Sequence, residues 1–287
     1  MTRRIALLVG CVMFSAAAFA DTSTIKESNN QIGVQLISTK VDYTETGNGV
    51  LGAAGSTLDT ETGHVPGYGV SISLMRDFSW TNNTGTQNDY FEAEYDHSSG
   101  NTNYTGAAIG GGAFGSVVST SSATLANFNI RYGKGFVVND KFMLTPYGEF
   151  GRNSWDRGVN YGENYSNSYL GIGTLGQFSP NSKWVITGKG MIGRTTGSVI
   201  TVNSGPGLNG FGADLGSSTL YKVGASADYA LTQKIHGNFA LDYTNFKYGS
   251  SALYPVFPIG GGLYRAGGEP DSTTAYTTIR IGLGYAF

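Results

Sequence analysis

Between positions 272 and 287 the chain reads STTAYTTIRIGLGYAF, and its odd and even positions differ in character. Ala275, Thr277, Ile279, Ile281, Leu283, Tyr285 and Phe287 share one face, against Tyr276, Thr278, Arg280, Gly282, Gly284 and Ala286 on the other. A period of two belongs to a β-strand, and one apolar face backed by a polar or tiny one suits a wall between lipid and a polar interior. About ten such segments recur, near 31–43, 66–79, 87–97, 123–134, 140–155, 165–178, 183–197, 219–231, 234–248 and 272–287. The separators alternate between long (44–65, 98–122, 156–164, 198–218, 249–271) and short (80–86, 135–139, 179–182, 232–233). Long outer loops and short periplasmic turns alternate in this way in transmembrane barrels. The pattern predicts an all-β antiparallel barrel of ten strands, with eight as the alternative.

Turn chemistry fits that register. Ser179-Pro180-Asn181-Ser182 and Leu231-Thr232-Gln233-Lys234 are compact connectors, and Asn82-Asn83-Thr84-Gly85 is a looser one. Tyr132, Phe142, Phe178, Trp184, Tyr229, Tyr285 and Phe287 fall beside short turns or the carboxy-terminus, predicting an aromatic girdle there. Tyr43, Tyr68, Tyr95, Trp155, Tyr243 and Tyr276 fall beside the long loops and predict a second girdle.

Composition narrows the class. Charged residues are 13%, Gly (44) and Tyr (18) are abundant, and mean hydropathy is only -0.13. Arg3 and Arg4, the apolar run 5–14 and Ala18-Phe19-Ala20 before Asp21 read as a secretory signal peptide over 1–20. The alternative is a lipoprotein signal at Leu8-Val9-Gly10-Cys11, whose apolar run is short for an h-region. Processing after Ala20 removes two arginines and the only cysteine, so the mature chain is acidic and has no disulfide framework. No basic excess points to nucleic acid, and no apolar run after the signal is long enough for a transmembrane helix. Residues 21–30 are expected to form a periplasmic tail or tuck into the lumen, and 31–287 to form the barrel.

The signal peptide, Leu144-Thr145-Pro146-Tyr147-Gly148-Glu149-Phe150-Gly151, Tyr169-Leu170-Gly171-Ile172-Gly173 and Gly282-Leu283-Gly284-Tyr285-Ala286-Phe287 together resemble the small outer-membrane barrels, the OmpA- and Opa-like proteins. The resemblance covers nearly the whole mature chain and implies a Gram-negative outer-membrane location. It also implies that the terminal strand, with Tyr285 and Phe287, is an assembly signal read by the barrel-assembly machinery. These motifs are architectural and imply no activity. Many members have eight strands, where this pattern carries an extra hairpin.

Strand parity turns Glu92, Glu94, Asp96, Arg131, Glu149, Lys222, Asp228, Asp242 and Arg280 toward the lumen. Charges of both signs in a narrow barrel can satisfy one another as a structural polar core, or line an ion path with a charge-selective constriction. Inward glycines, among them Gly133, Gly151, Gly171, Gly173, Gly224, Gly282 and Gly284, leave space for large neighbours such as Tyr147 or Tyr169. Ten strands resemble the omptin proteases, but the chain lacks the Asp-x-Asp and Asp-x-His pairs that such a site needs. His97-Ser98-Ser99 resembles the His-x-Ser pair of lipid A deacylases, though it stands beside a Ser/Gly/Asn loop instead of near the carboxy-terminus. His64 and His236 lie far from it and from each other, so no metal centre is expected, nor any cofactor.

Function then falls to the long loops. The stretches 107–118 (AAIGGGAFGSVV) and 254–265 (YPVFPIGGGLYR) mix flexible glycines with large apolar side chains, suited to a partner surface or to folding over the mouth. The expectation is a non-enzymatic surface barrel, structural or adhesin-like, embedded in outer-membrane lipid. The alternatives are a narrow diffusion pore and, more remotely, a lipid- or peptide-hydrolysing barrel.

Overall fold

A computed structural model describes residues 22–77, 88–108, 112–260 and 262–287. The expected signal peptide, its cleavage site and the connector at 82–85 lie outside the described residues. In chain order the elements are α1 (Ser23–Ser28), β1 (Gln31–Thr46), β2 (Thr57–Arg76), β3 (Asp89–Gly106), β4 (Val117–Lys134), β5 (Phe136–Asn139), β6 (Phe142–Arg157), β7 (Glu163–Asn181), β8 (Trp184–Val202), β9 (Phe211–Asp214), β10 (Thr219–Ala230), β11 (Ile235–Tyr248), β12 (Tyr254–Gly260), β13 (Leu263–Gly267) and β14 (Asp271–Ala286).

Ten of these close into an antiparallel barrel. The order runs β1-β2-β3-β4-β6-β7-β8-β10-β11-β14, and β14 returns to pair with β1 from Thr46↔Asp271 to Gln31↔Ala286. The ten-strand expectation is therefore met, and the eight-strand alternative is not. β5 lengthens the sheet beside β6, β9 continues it beside the end of β8, and β12 and β13 form a separate hairpin at the long-loop end.

The outer face carries the large apolar side chains. Leu36 is 75% exposed, Ile172 71%, Ile281 62% and Val34 61%. They are register neighbours around the wall: Leu283 faces Val34, Val34 faces Val70, Val70 faces Tyr95 and Tyr95 faces Phe128. A continuous apolar belt around a closed barrel is the surface that lipid covers. Among the described residues no helix is long and apolar enough to cross a membrane.

Short turns, helix α1 and the carboxy-terminus share one rim. Asn181 Oδ1 accepts the amide of Lys183 at 2.9 Å, and Thr232 Oγ1 accepts that of Ile235 at 2.9 Å, so each connector closes on its own side chain. The segment expected as a periplasmic tail or a luminal tuck is ordered there as helix α1. Ile25 is fully buried, and Asn29 exchanges two hydrogen bonds with Gln177, at 2.8 and 3.0 Å, so this segment tucks into the lumen.

Two expectations need correction. Strands run further toward the loop end than the apolar pattern reaches: β1 continues to Thr46, β2 begins at Thr57, β3 continues to Gly106 and β4 begins at Val117. Beyond the belt the outer face turns polar, so pairing persists without the apolar alternation that marks the lipid-facing part. The second girdle is also thinner than expected. Tyr68, Tyr95 and Tyr243 point outward, but Tyr43 and Trp155 are buried inside, and Tyr276 packs against that interior cluster. Proximity to a loop sets height along the wall, whereas parity sets the face. The turn-end girdle keeps Tyr132, Phe178, Trp184, Tyr285 and Phe287 on the exposed outer face.

Candidate functional site

The candidate site is the barrel interior, built as layers of paired charges. On three adjacent strands Glu92, Arg131 and Glu149 are direct register partners. Arg131 donates to Glu92 and to Glu149, each at 2.5 Å, and Lys222 reaches Glu149 across the lumen from β10 at 2.7 Å. Tyr169 also donates to Glu149, at 2.8 Å, so this carboxylate is held from three sides. A second group centres on Arg280. Its guanidinium takes Asp96 with two bonds, at 2.5 and 2.7 Å, Glu94 at 2.8 Å and Asp242 at 2.9 Å. Lys189 joins through Asp242 at 2.8 Å.

Small residues make these reaches possible. Arg280 on β14 meets Asp96 on β3 past two intervening strands, and Gly69 lies inward on one of them. A Cβ there would stand 2.6 Å from Asp96 Oδ1 and 3.5 Å from Arg280 Nη1. The bidentate pair needs that space.

The predicted luminal residues occupy this interior. Glu92, Arg131, Glu149 and Lys222 belong to the first group, and Glu94, Asp96, Asp242 and Arg280 to the second. Asp228 stands apart near the turn end, where it bonds His236 Nδ1 at 2.6 Å and Gln31 at 3.0 Å. Lys189 belongs here too; it shares inward parity with Val185 and Met191, a signal the sequence offers. Tyr285 and Phe287 face outward on the final strand.

A cavity of about 70 Å³ touches Glu94, Arg131 and Arg280 from the loop side, with Thr39 and Asn127. Another of about 150 Å³ touches the same three from the turn side, with Gln31 and Gln177. The charged layer therefore stands between two small cavities.

At the loop end a further cluster forms around Arg157. Arg157 is fully buried and pairs with Glu61 at 2.8 Å, Glu163 at 3.0 Å, Glu45 at 3.3 Å and Asp59 at 3.5 Å. Its guanidinium lies over the rings of Tyr43 (4.4 Å), Trp155 (5.0 Å) and Tyr165 (5.7 Å). The parity that places Asn153 and Trp155 inward continues to Arg157, so a signal existed. It sat in what reads as loop.

The histidines do not converge. His97 is on the outer face, 5.6 Å from the ring of Tyr68, His64 is exposed on β2, and His236 is buried near the opposite rim. Among the described residues no group of three His, Cys, Asp or Glu side chains is arranged to hold a metal.

No family model matches the chain, and no curated protein sequence matches it. Solved structures do. The outer membrane protease OmpT from Escherichia coli aligns over 91% of this chain and 98% of its own, at 10% identity and a TM-score of 0.52. The translocator domain of the autotransporter NalP from Neisseria meningitidis aligns over 90% and 89%, at 13% identity and a TM-score of 0.39. The attachment invasion locus protein Ail of Yersinia pestis, solved with a heparin analogue, aligns over 90% and 99%, at 10% identity and a TM-score of 0.32. At such identity the first likeness establishes the fold, that of an outer-membrane β-barrel.

Proposed function

We propose that the protein is a non-enzymatic barrel of the Gram-negative outer membrane, closed through its lumen, that works through the surface at its loop end. One observation carries this reading: Arg280 and Arg131 tie β14 to β3 and β4 to β6, and Lys222 closes the gap to β10. Buried charges satisfied on several sides behave as a structural core, because separating them would leave each desolvated and unpaired. Lipid contacts the outer belt, and the barrel-assembly machinery reads the strand ending in Tyr285 and Phe287. Kinship with OmpA- and Opa-like barrels is supported by the segments around Leu144, Tyr169 and Gly282, with one hairpin more than the eight strands of many members.

The test is single-channel conductance of residues 21–287 refolded in a planar bilayer. A folded but silent barrel is expected. Trimming the tips of 107–118 and 254–265 then removes surface binding, and His97→Ala leaves every phenotype unchanged. Unchanged binding after trimming both tips would sink the surface role.

The second reading is a narrow diffusion pore. Its support is the pair of cavities meeting the same charged layer, so that opening one layer joins them. Discrete ion-selective steps that change in Arg131→Ala or Glu94→Ala would replace the closed reading with this one.

A further inference from the structure

The tips of the long loops, 47–56, 107–118, 158–162, 203–210 and 249–264, contain no Asp, Glu, Lys, Arg or His. The turn end differs, with Arg76, Lys141, Lys183 and Lys234 exposed at its connectors. Acid is plentiful near the mouth, but Glu45, Asp59, Glu61, Glu163 and Glu269 are all buried in or beside the Arg157 cluster. Exposed charges of this end, such as Asp156 and Asp271, stand on the strands and not on the tips.

The tips are apolar as well as neutral. Val118 is 73% exposed, Leu263 66% and Ile259 65%, as much as the belt residues that meet lipid. Val50, Phe114 and Tyr161 are exposed on other loops, so the apolar character is spread around the mouth. On the β12–β13 hairpin it covers both faces, because the neighbours Leu263 and Tyr264 point to opposite sides and both are exposed. A hairpin that lies on a protein surface needs one apolar face. One that is apolar on both faces suits entry into an apolar medium.

The membrane that holds the barrel does not extend to these tips. Lys40 and Asp42 share the outward parity of Leu36 on β1, Asn101 and Asn103 that of Tyr95 on β3, and Ser122 that of Phe128 on β4. They form a polar band between belt and tips, and hydrocarbon does not cover such a band.

We propose that the loop tips insert into a second lipid bilayer, apposed to the first and carrying net-neutral, zwitterionic headgroups. The absence of charge on the tips sets the headgroup class, since an uncharged surface gains nothing from anionic lipid. A bilayer also receives apolar side chains from separate loops at once, and aromatic residues such as Phe114, Tyr161 and Tyr264 suit its interface. This inference rests on the surface role proposed above and names its partner.

The experiment is flotation of barrel-bearing nanodiscs with phosphatidylcholine vesicles, empty nanodiscs serving as the blank. The parent chain is expected to float with the vesicles equally at low and high salt, and no better when phosphatidylglycerol is added. Ile259→Ser combined with Leu263→Ser lowers the affinity at least about tenfold, because two large apolar side chains no longer leave water. Both positions are exposed, and Val118→Ser on a different loop gives an independent loss. A parent chain that does not float, binding that disappears at high salt, or full binding by the double variant would each overturn the proposal. Attachment to intact cells separates this failure from that of the surface role. If the chain ignores vesicles, yet attaches to cells through its tips and loses that attachment when the cells are treated with protease, the partner is a protein and only the bilayer inference falls. Unchanged attachment after trimming the tips ends both.

Discussion

Gly151 on β6 and Tyr169 on β7 face each other across the ladder, and the ring of Tyr169 occupies the space where a Cβ on residue 151 would stand. Tyr147 and Gly173 repeat the arrangement on the same two strands. Tyr169 cannot swing aside freely, because its hydroxyl is engaged by Glu149 and Lys222. Gly151→Ala is therefore expected to destabilise the barrel by about 1–3 kcal/mol, the usual cost of overpacking. Urea midpoints in detergent would measure it. In a Tyr169→Ala background the same change should cost little, and equal costs in both backgrounds would refute the contact.

The alternation that placed the inward glycines and luminal charges is legible because lipid enforces it. Val34 and Leu36 have to face out, so Gln35 and Ile37 face in. Above the belt that constraint ends, and the sequence around Glu45, Asp59 and Glu61 reads as polar loop although it is paired strand. Tyr43 shares the inward parity of Ile37, and Trp155 that of Asn153, so their face was legible from the strand and not from their nearness to a loop. Partners across the lumen were not legible at all. Parity turns Arg280 and Asp96 inward, but their meeting depends on the tilt and radius of the closed wall and on the space at Gly69.

Arg280 is the hub whose loss should be most costly. Removing it leaves Glu94, Asp96 and Asp242 clustered, with Lys189 on Asp242. Arg280→Met is expected to lose about 3–5 kcal/mol, the cost of breaking a buried ionic group on one side. Adding Asp96→Asn should restore part of that loss, because it removes one of the uncompensated charges. Reversible unfolding of the three proteins would test this, and a double variant weaker than the single one would argue against the network.

The α1 plug should fail locally. A helix of six residues has no stability of its own, so its order rests on Ile25 and on the Asn29–Gln177 pair. Barrel closure through β1 and β14 does not involve it. Ile25→Asp is expected to expose residues 22–30 to proteolysis while leaving the global unfolding midpoint nearly unchanged. A large drop in that midpoint would mean that α1 belongs to the cooperative core.

Acidity should tighten the loop-end cap. Glu269 lies in the short segment between β13 and β14, outside the barrel wall. Burial, followed by repulsion from Glu45 and Glu163, pushes its carboxyl well above the usual glutamate range, and the Tyr165 hydroxyl and Arg157 offset this only in part. Asp59 and Glu61 add acid from β2, while Tyr43 supplies a second hydroxyl. The folded chain thus keeps a proton that the unfolded chain releases at about pH 4.3. Wherever the folded state binds more protons, stability falls as pH rises. The contribution of Glu269 is full below that value and declines above it, until Glu269 ionises in the folded protein. Urea midpoints measured from pH 4 to 9 should therefore fall toward alkaline pH more steeply in the parent chain than in Glu269→Gln, whose amide has no proton to lose. A parent chain that gains stability over the variant as pH rises would show that Glu269 is ionised in the folded cap, with Arg157 outweighing burial.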